Sequence, residues 1–134
     1  DPFNLRDGRK DLSIVALSGP LTNILLAIIA SLIIKILPFF TFIPFEVVSF
    51  IYFILLQAAN INLLLAIFNL TPIPPLDGSK VLSFLLPEKL ANVYLSLGSV
   101  GLFIIFFLLF FPGSFSLTNL IYSLLLFFKH LLGV

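Results

Sequence analysis

Asp77 is the residue whose surroundings most call for chemistry. It closes the stretch Phe68-Asn69-Leu70-Thr71-Pro72-Ile73-Pro74-Pro75-Leu76-Asp77-Gly78, directly after an apolar run long enough to cross a bilayer. A carboxylate is costly at such depth, so an aspartate there marks a functional site unless water reaches it. Pro72, Pro74 and Pro75 remove backbone donors and forbid a regular helix between the run and Asp77. Membranes tolerate that kind of break where protein or a water-filled cavity receives the freed polar groups. The competing reading is an ordinary interhelical turn with a hydrated aspartate. Asn69 lies at the end of the same run, and its amide and the Asp77 carboxylate could converge on one polar pocket.

A catalytic zinc ion typically takes three protein ligands, nitrogen or oxygen, and keeps its fourth position for water. Asp77 could be one ligand, but the second and third are not evident. The single histidine, His130, follows Lys129 near the C-terminus, where a place at the membrane interface is the plainer reading. No His-Glu-x-x-His pair occurs, so the chain by itself does not assemble such a site. Other chemistries fare worse. Ser13, Ser18, Ser96 and Ser99 have no histidine or lysine base in sequence reach. Glu46 and Glu88 sit at the edges of apolar runs, which leaves Asp77 without a twin for an aspartyl dyad. The absence of cysteine removes thiolate nucleophiles, thiolate metal sites and disulfides. A net charge of +1 and the lack of a glycine-rich phosphate loop point to no nucleic-acid partner.

The elements that carry these residues belong in lipid. Of 134 residues, 60% are hydrophobic and 10% charged, with a mean hydropathy of +1.24, more apolar surface than a soluble domain of this size can hide. The expected fold class is all-α: one membrane domain over residues 1–134, a polytopic transmembrane helical bundle of about four spans with a proline-broken re-entrant loop between spans two and three. The runs are residues 12–37, 47–69, 91–111 and about 117–132. The first three meet the roughly 20-residue requirement for crossing; the fourth is shorter and would cross with local thinning or lie partly re-entrant. The first run is too long for a signal-peptide core. Pro38 and Pro44 bracket the first connection, Pro112-Gly113-Ser114 marks the last, and residues 77–86 form a short helix that Pro87 ends.

Basic residues suggest orientation. With Arg6, Arg9 and Lys10 cytoplasmic, four crossings return Lys80, Lys89 and Lys129 to the same side and leave Lys35 to snorkel at the other. Both termini are then expected to be cytoplasmic. Lys80 and Lys89 read as topology markers that could also touch anionic headgroups. Ala16, Gly19, Asn23, Ala27 and Ala30 recur at helical spacing in the first run, as do Ala59, Asn62, Ala66 and Asn69 in the second. Small and amide side chains on one stripe suit closely packed membrane helices, with Asn23 and Asn62 as interhelical hydrogen-bond donors.

Two stretches together resemble the site-2 protease family of intramembrane zinc metalloproteases. The stretch Asn69-Leu70-Thr71-Pro72-Ile73-Pro74-Pro75-Leu76-Asp77-Gly78 is similar to that family's Asn-x-x-Pro...Leu-Asp-Gly signature. Arg9-Lys10-Asp11 followed by Ala16-Leu17-Ser18-Gly19-Pro20-Leu21-Thr22-Asn23 is similar to the charged turn and Gly-Pro-x-x-Asn helix start upstream of it. The resemblance implies that Asp77 is the carboxylate zinc ligand, that Gly78 allows the close turn beside it, and that Asn69 points its amide at the substrate carbonyl as an oxyanion donor. Gly19, Pro20 and Asn23 would be scaffold.

The family's His-Glu-x-x-His helix, with two ligands and the general base, precedes the matched region. A chain that has no methionine and opens Asp1-Pro2-Phe3 is therefore expected to be the C-terminal part of such a protease, inactive alone. The resemblance implies zinc as cofactor. Its implied partners are the bilayer of a bacterial-type cell membrane, a membrane-protein substrate and the missing N-terminal segment. Two other readings stand beside it: a transporter or channel component whose broken helix binds a cation, which predicts an inverted repeat that is not evident, and a catalytically inactive membrane scaffold.

Overall fold

Helix begins well before the first apolar run. In the computed structural model, which describes residues 5–111, 113 and 116–134 with side chains from residue 8 onward, α1 (Leu5–Ile36) takes in the charged lead. Asp1, Pro2, Phe3, Pro112 and Ser114, and the side chain of Arg6, lie outside the described residues. Pro20 is buried inside α1, which continues through it, as the helical stripe from Ala16 to Ala30 predicts, so Gly19-Pro20 is not the helix start that the resemblance implied. A membrane helix tolerates an internal proline because neighbouring groups take up the freed carbonyl.

Prolines set most of the boundaries that follow. A 3₁₀ turn at Leu37–Phe39 holds Pro38, and α2 (Phe45–Leu70) begins after Pro44 with Glu46 in its first turn, where the helix dipole favours an acid. Thr71 precedes Pro72 and takes ψ 128°, because a residue before proline is pushed out of the helical region, and α2 stops there. Leu86 does the same before Pro87, with ψ 150°, ending α3 (Asp77–Leu85). Then come α4 (Glu88–Ser96), α5 (Gly98–Phe110) and α6 (Leu117–Leu132), the last capped by the Ser116 hydroxyl and by Gly133 at φ 72°. Among the described residues all regular structure is helical, as expected.

The third apolar run is not one helix: α4 and α5 meet at 64°. The break falls at Leu97, beside the pair Gly98-Ser99, a sequence at which helices bend readily. Two helices are long and apolar enough to cross a membrane, three if the bent pair is one span. The sixteen residues of α6 make about 24 Å of helix, short of a hydrocarbon core of about 30 Å.

The packing stripes are largely where the sequence put them. Ala16, Ala27 and Ala30 of α1 and Ala59 and Ala66 of α2 are buried, and Asn23, Asn62 and Asn69 are half-buried, with α2 and α3 both packing on α1. Gly19 is exposed. The Asn62 amide bonds within its own helix, donating to the Ala58 carbonyl at 2.8 Å, so it is not an interhelical donor. Large apolar side chains such as Phe103, Phe106 and Phe110 point outward, as lipid allows.

The far end of the chain packs beside the Lys35 end of α1. A methyl group at Gly133 would lie 3.2 Å from Lys35 Nζ, so α6 ends beside the end of α1 that carries Lys35. Arg9 is 26 helical residues before Lys35, about 39 Å at 1.5 Å per residue. Lys129 and the C-terminal turn therefore do not return to the Arg9 end.

Candidate carboxylate site at the start of α3

The site is built on the segment between α2 and α3. Of residues 72–76 only Ile73 and Leu76 have a backbone N–H, and both close tight turns, Ile73 to the Thr71 carbonyl at 2.8 Å and Leu76 to the Ile73 carbonyl at 2.9 Å. The Pro74–Pro75 peptide bond is cis. Asp77 follows as the first residue of α3, where the exposed amides of the helix N-terminus favour a carboxylate.

Gly78 fixes how close this helix start comes to the end of α2. A methyl group there would collide with the Leu70 carbonyl and lie 2.7 Å from the Thr71 carbonyl oxygen, so only glycine admits the approach. Asn69 and Asp77 thus flank one backbone contact, Leu70 and Thr71 against Gly78. The Asn69 amide is half-buried and has no hydrogen-bond partner among the described residues.

The second face of the site comes from α1. Gly19 lies beside Asp77, its absent methyl position 3.8 Å from Asp77 Oδ2. At the other end of α3, Arg9 Nη1 donates to the Leu86 carbonyl at 3.0 Å and to the Ser83 carbonyl at 3.1 Å, the latter also accepting from the Leu86 N–H, so the exposed end of the helix is capped. These two contacts lay α3 antiparallel along the first half of α1. Small residues make the fit close: Ser79 and Ser83 are fully buried, and their hydroxyls donate to Leu76 and Lys80 carbonyls at 2.7 Å. Ser13, Ser18 and Ser96 likewise bond to carbonyls three residues back in their own helices.

Lys80 was read from sequence as a topology marker, and here it is the partner of Asp77. Its ammonium donates to Oδ1 at 2.9 Å, one helical turn on, with both side chains about one-third exposed. The spacing i, i+3 was the available signal. Oδ2 accepts no hydrogen bond among the described residues. Two further contacts had no sequence signal: the Tyr94 hydroxyl donates to the Pro72 carbonyl, and Gly101 packs against the Pro74 carbonyl so closely that a methyl group would collide with it.

Zinc bound by protein needs about three ligands. Among the described residues no group of three His, Cys, Asp or Glu side chains gathers to hold a metal. His130 is exposed near the end of α6, the end whose Gly133 lies by Lys35 and away from Asp77. The residues present fit one ligand of a zinc site and not the whole of it, so no reaction step is derived through the metal.

Comparison with known proteins converges on the same region. The family model described as Peptidase family M50 matches residues 40–112, more than half of the chain and the part that holds α2, the broken segment and α3. A protein of Methanocaldococcus jannaschii named "Putative zinc metalloprotease" is 43% identical over 70 residues, which cover 52% of this chain and 32% of that protein. The match thus spans about a third of the length of that relative. No solved structure matches.

Proposed function

The chain belongs to peptidase family M50, the site-2 proteases, and from that premise we propose that it supplies the carboxylate side of an intramembrane zinc endopeptidase that cleaves membrane proteins. In this reading Asp77 is a zinc ligand and Asn69 a donor to the substrate carbonyl, while two histidine ligands and the general base come from a segment of the same protein outside this chain. One observation carries it above all: two stretches far apart in sequence, the Gly19 region and the Asn69-to-Gly78 region, meet at the Asp77 carboxylate.

When bound, zinc would polarise the scissile carbonyl and acidify a water molecule. The rest falls to this chain. A carboxylate at the start of α3 sits in a favourable helix field and is fixed from two sides, by Gly19 on α1 and by the Gly78 contact with α2. The unpartnered Asn69 amide, on the α2 side of that contact, supplies a donor whose worth rises where water is excluded. A substrate must present an extended backbone, since a helical peptide bond already engages its carbonyl. The irregular segment at residues 71–76 offers carbonyls to such a strand. With the basic start of α1 on the cytoplasmic face, this site lies toward that face, and the end of α6 lies toward the other.

The test is made on the full-length protein. Asp77→Ala should abolish both bound zinc and hydrolysis of a membrane-embedded peptide, whereas Asn69→Ala should keep zinc and lower turnover about 100-fold or more, the usual loss for an oxyanion donor. Zinc content unchanged by Asp77→Ala would remove that carboxylate from the site.

A further inference from the structure

The segment that carries Asp77 is poorly held by its own backbone. Pro72, Pro74 and Pro75 donate nothing, and the two N–H groups of residues 72–76 close only local turns. Its restraint comes instead from α4 and α5. The Tyr94 hydroxyl, half-buried on α4, donates to the Pro72 carbonyl across 22 residues of sequence. On α5, Gly101 lets the helix backbone close on the Pro74 carbonyl. The 64° bend between these helices lies between the two contacts, so each helix reaches a different residue of the segment. Ile73, between them, packs into the apolar cluster of Ile67, Ile105, Leu117 and Ile121.

We infer that Tyr94 is a positioning residue for the Asp77 carboxylate: its hydroxyl, with the Gly101 contact behind it, clamps the proline segment and so fixes where α3 begins. The bond is directional and goes to a carbonyl that no backbone donor of the segment reaches. Removing it frees the residues between the end of α2 and Asp77 while leaving the α1–α2 packing untouched. The inference adds to the reading of Asp77 as a ligand, and its test does not require metal.

In the full-length protein with all other cysteines removed, the thiols of Ile73→Cys and, separately, of Asp77→Cys are labelled with a water-soluble maleimide, with and without Tyr94→Phe. A thiol of Phe42→Cys, in the connection between α1 and α2, serves as the distant control. Tyr94→Phe should raise the labelling rate at positions 73 and 77 about fivefold, the change expected for one lost hydrogen bond, and leave position 42 and the thermal midpoint unchanged. Unchanged labelling at 73 or 77 would overturn the inference. So would an equal rise at position 42, which would mean general loosening. Where the parent protein retains zinc, faster loss to a chelator in Tyr94→Phe is also expected; a parent without zinc would sink the metal reading and leave the labelling outcome to decide the clamp.

Discussion

One side chain and one missing side chain define the setting of the carboxylate. Gly78 has no Cβ to keep the end of α2 away, and the atoms in the way of one are backbone carbonyls, which cannot swing aside. Gly78→Ala should therefore cost about 1–3 kcal/mol in denaturant unfolding of the detergent-solubilised protein, as overpacking does. Gly98→Ala is the control, since nothing lies within 4 Å of a methyl group there. Lys80 acts differently. Its pair with Asp77 is too exposed to hold the fold, so Lys80→Met should change stability by at most about 1 kcal/mol. The same ammonium occupies Oδ1, and a metal ligated there would have to displace it. Zinc retention by the full-length protein should accordingly rise in Lys80→Met; a fall would show that Lys80 holds the carboxylate in its ligating pose.

Among the elements, α3 depends most on others. Nine residues are too few for a helix to persist on propensity, so its stability comes from docking. Buried Ser79 and Ser83 let it lie close to α1, and Arg9 caps its far end through two carbonyls. Hydrogen bonds from a charged donor are worth roughly 1.5–3 kcal/mol. Arg9→Met should raise amide hydrogen exchange over residues 80–90 while leaving α2 protected, and uniform exchange would refute the capping role. Much of this level was legible in the chain: the alanine stripes, the stop before Pro72 and the short helix ended by Pro87 follow from local sterics and side-chain size. The bend at Leu97 and the Tyr94 and Gly101 contacts were not. Each depends on which distant backbone arrives nearby, and no local periodicity encodes that. Asp77 stood out because a carboxylate is costly in lipid, and Asn69 because it closes the stripe of the second run beside it, whereas Gly78 gained its place from a resemblance and then from the backbone contact it makes.

At the scale of the whole molecule, the path of the chain decides which way its ends would face. Counting Lys129 with Arg9 assumed that every apolar run crosses, yet the run at residues 91–111 bends by 64° while both of its arms engage the proline segment near the end of α2. The Thr118 hydroxyl then donates to the Leu109 carbonyl, and Leu109 and Thr118 line one groove with Phe68, so α6 sets out from near the same end of α2. From there α6 runs to Lys35. If α6 crosses through a locally thinned bilayer together with α1 and α2 while α4–α5 re-enters, the number of crossings is odd and the two ends of the described chain face opposite compartments. Single thiols at Lys10→Cys and Val134→Cys, probed in sealed vesicles with a membrane-impermeant reagent, should then label from opposite sides. Labelling of both from one side would refute this path: the crossings would be even in number, with the bent pair spanning or α6 not crossing.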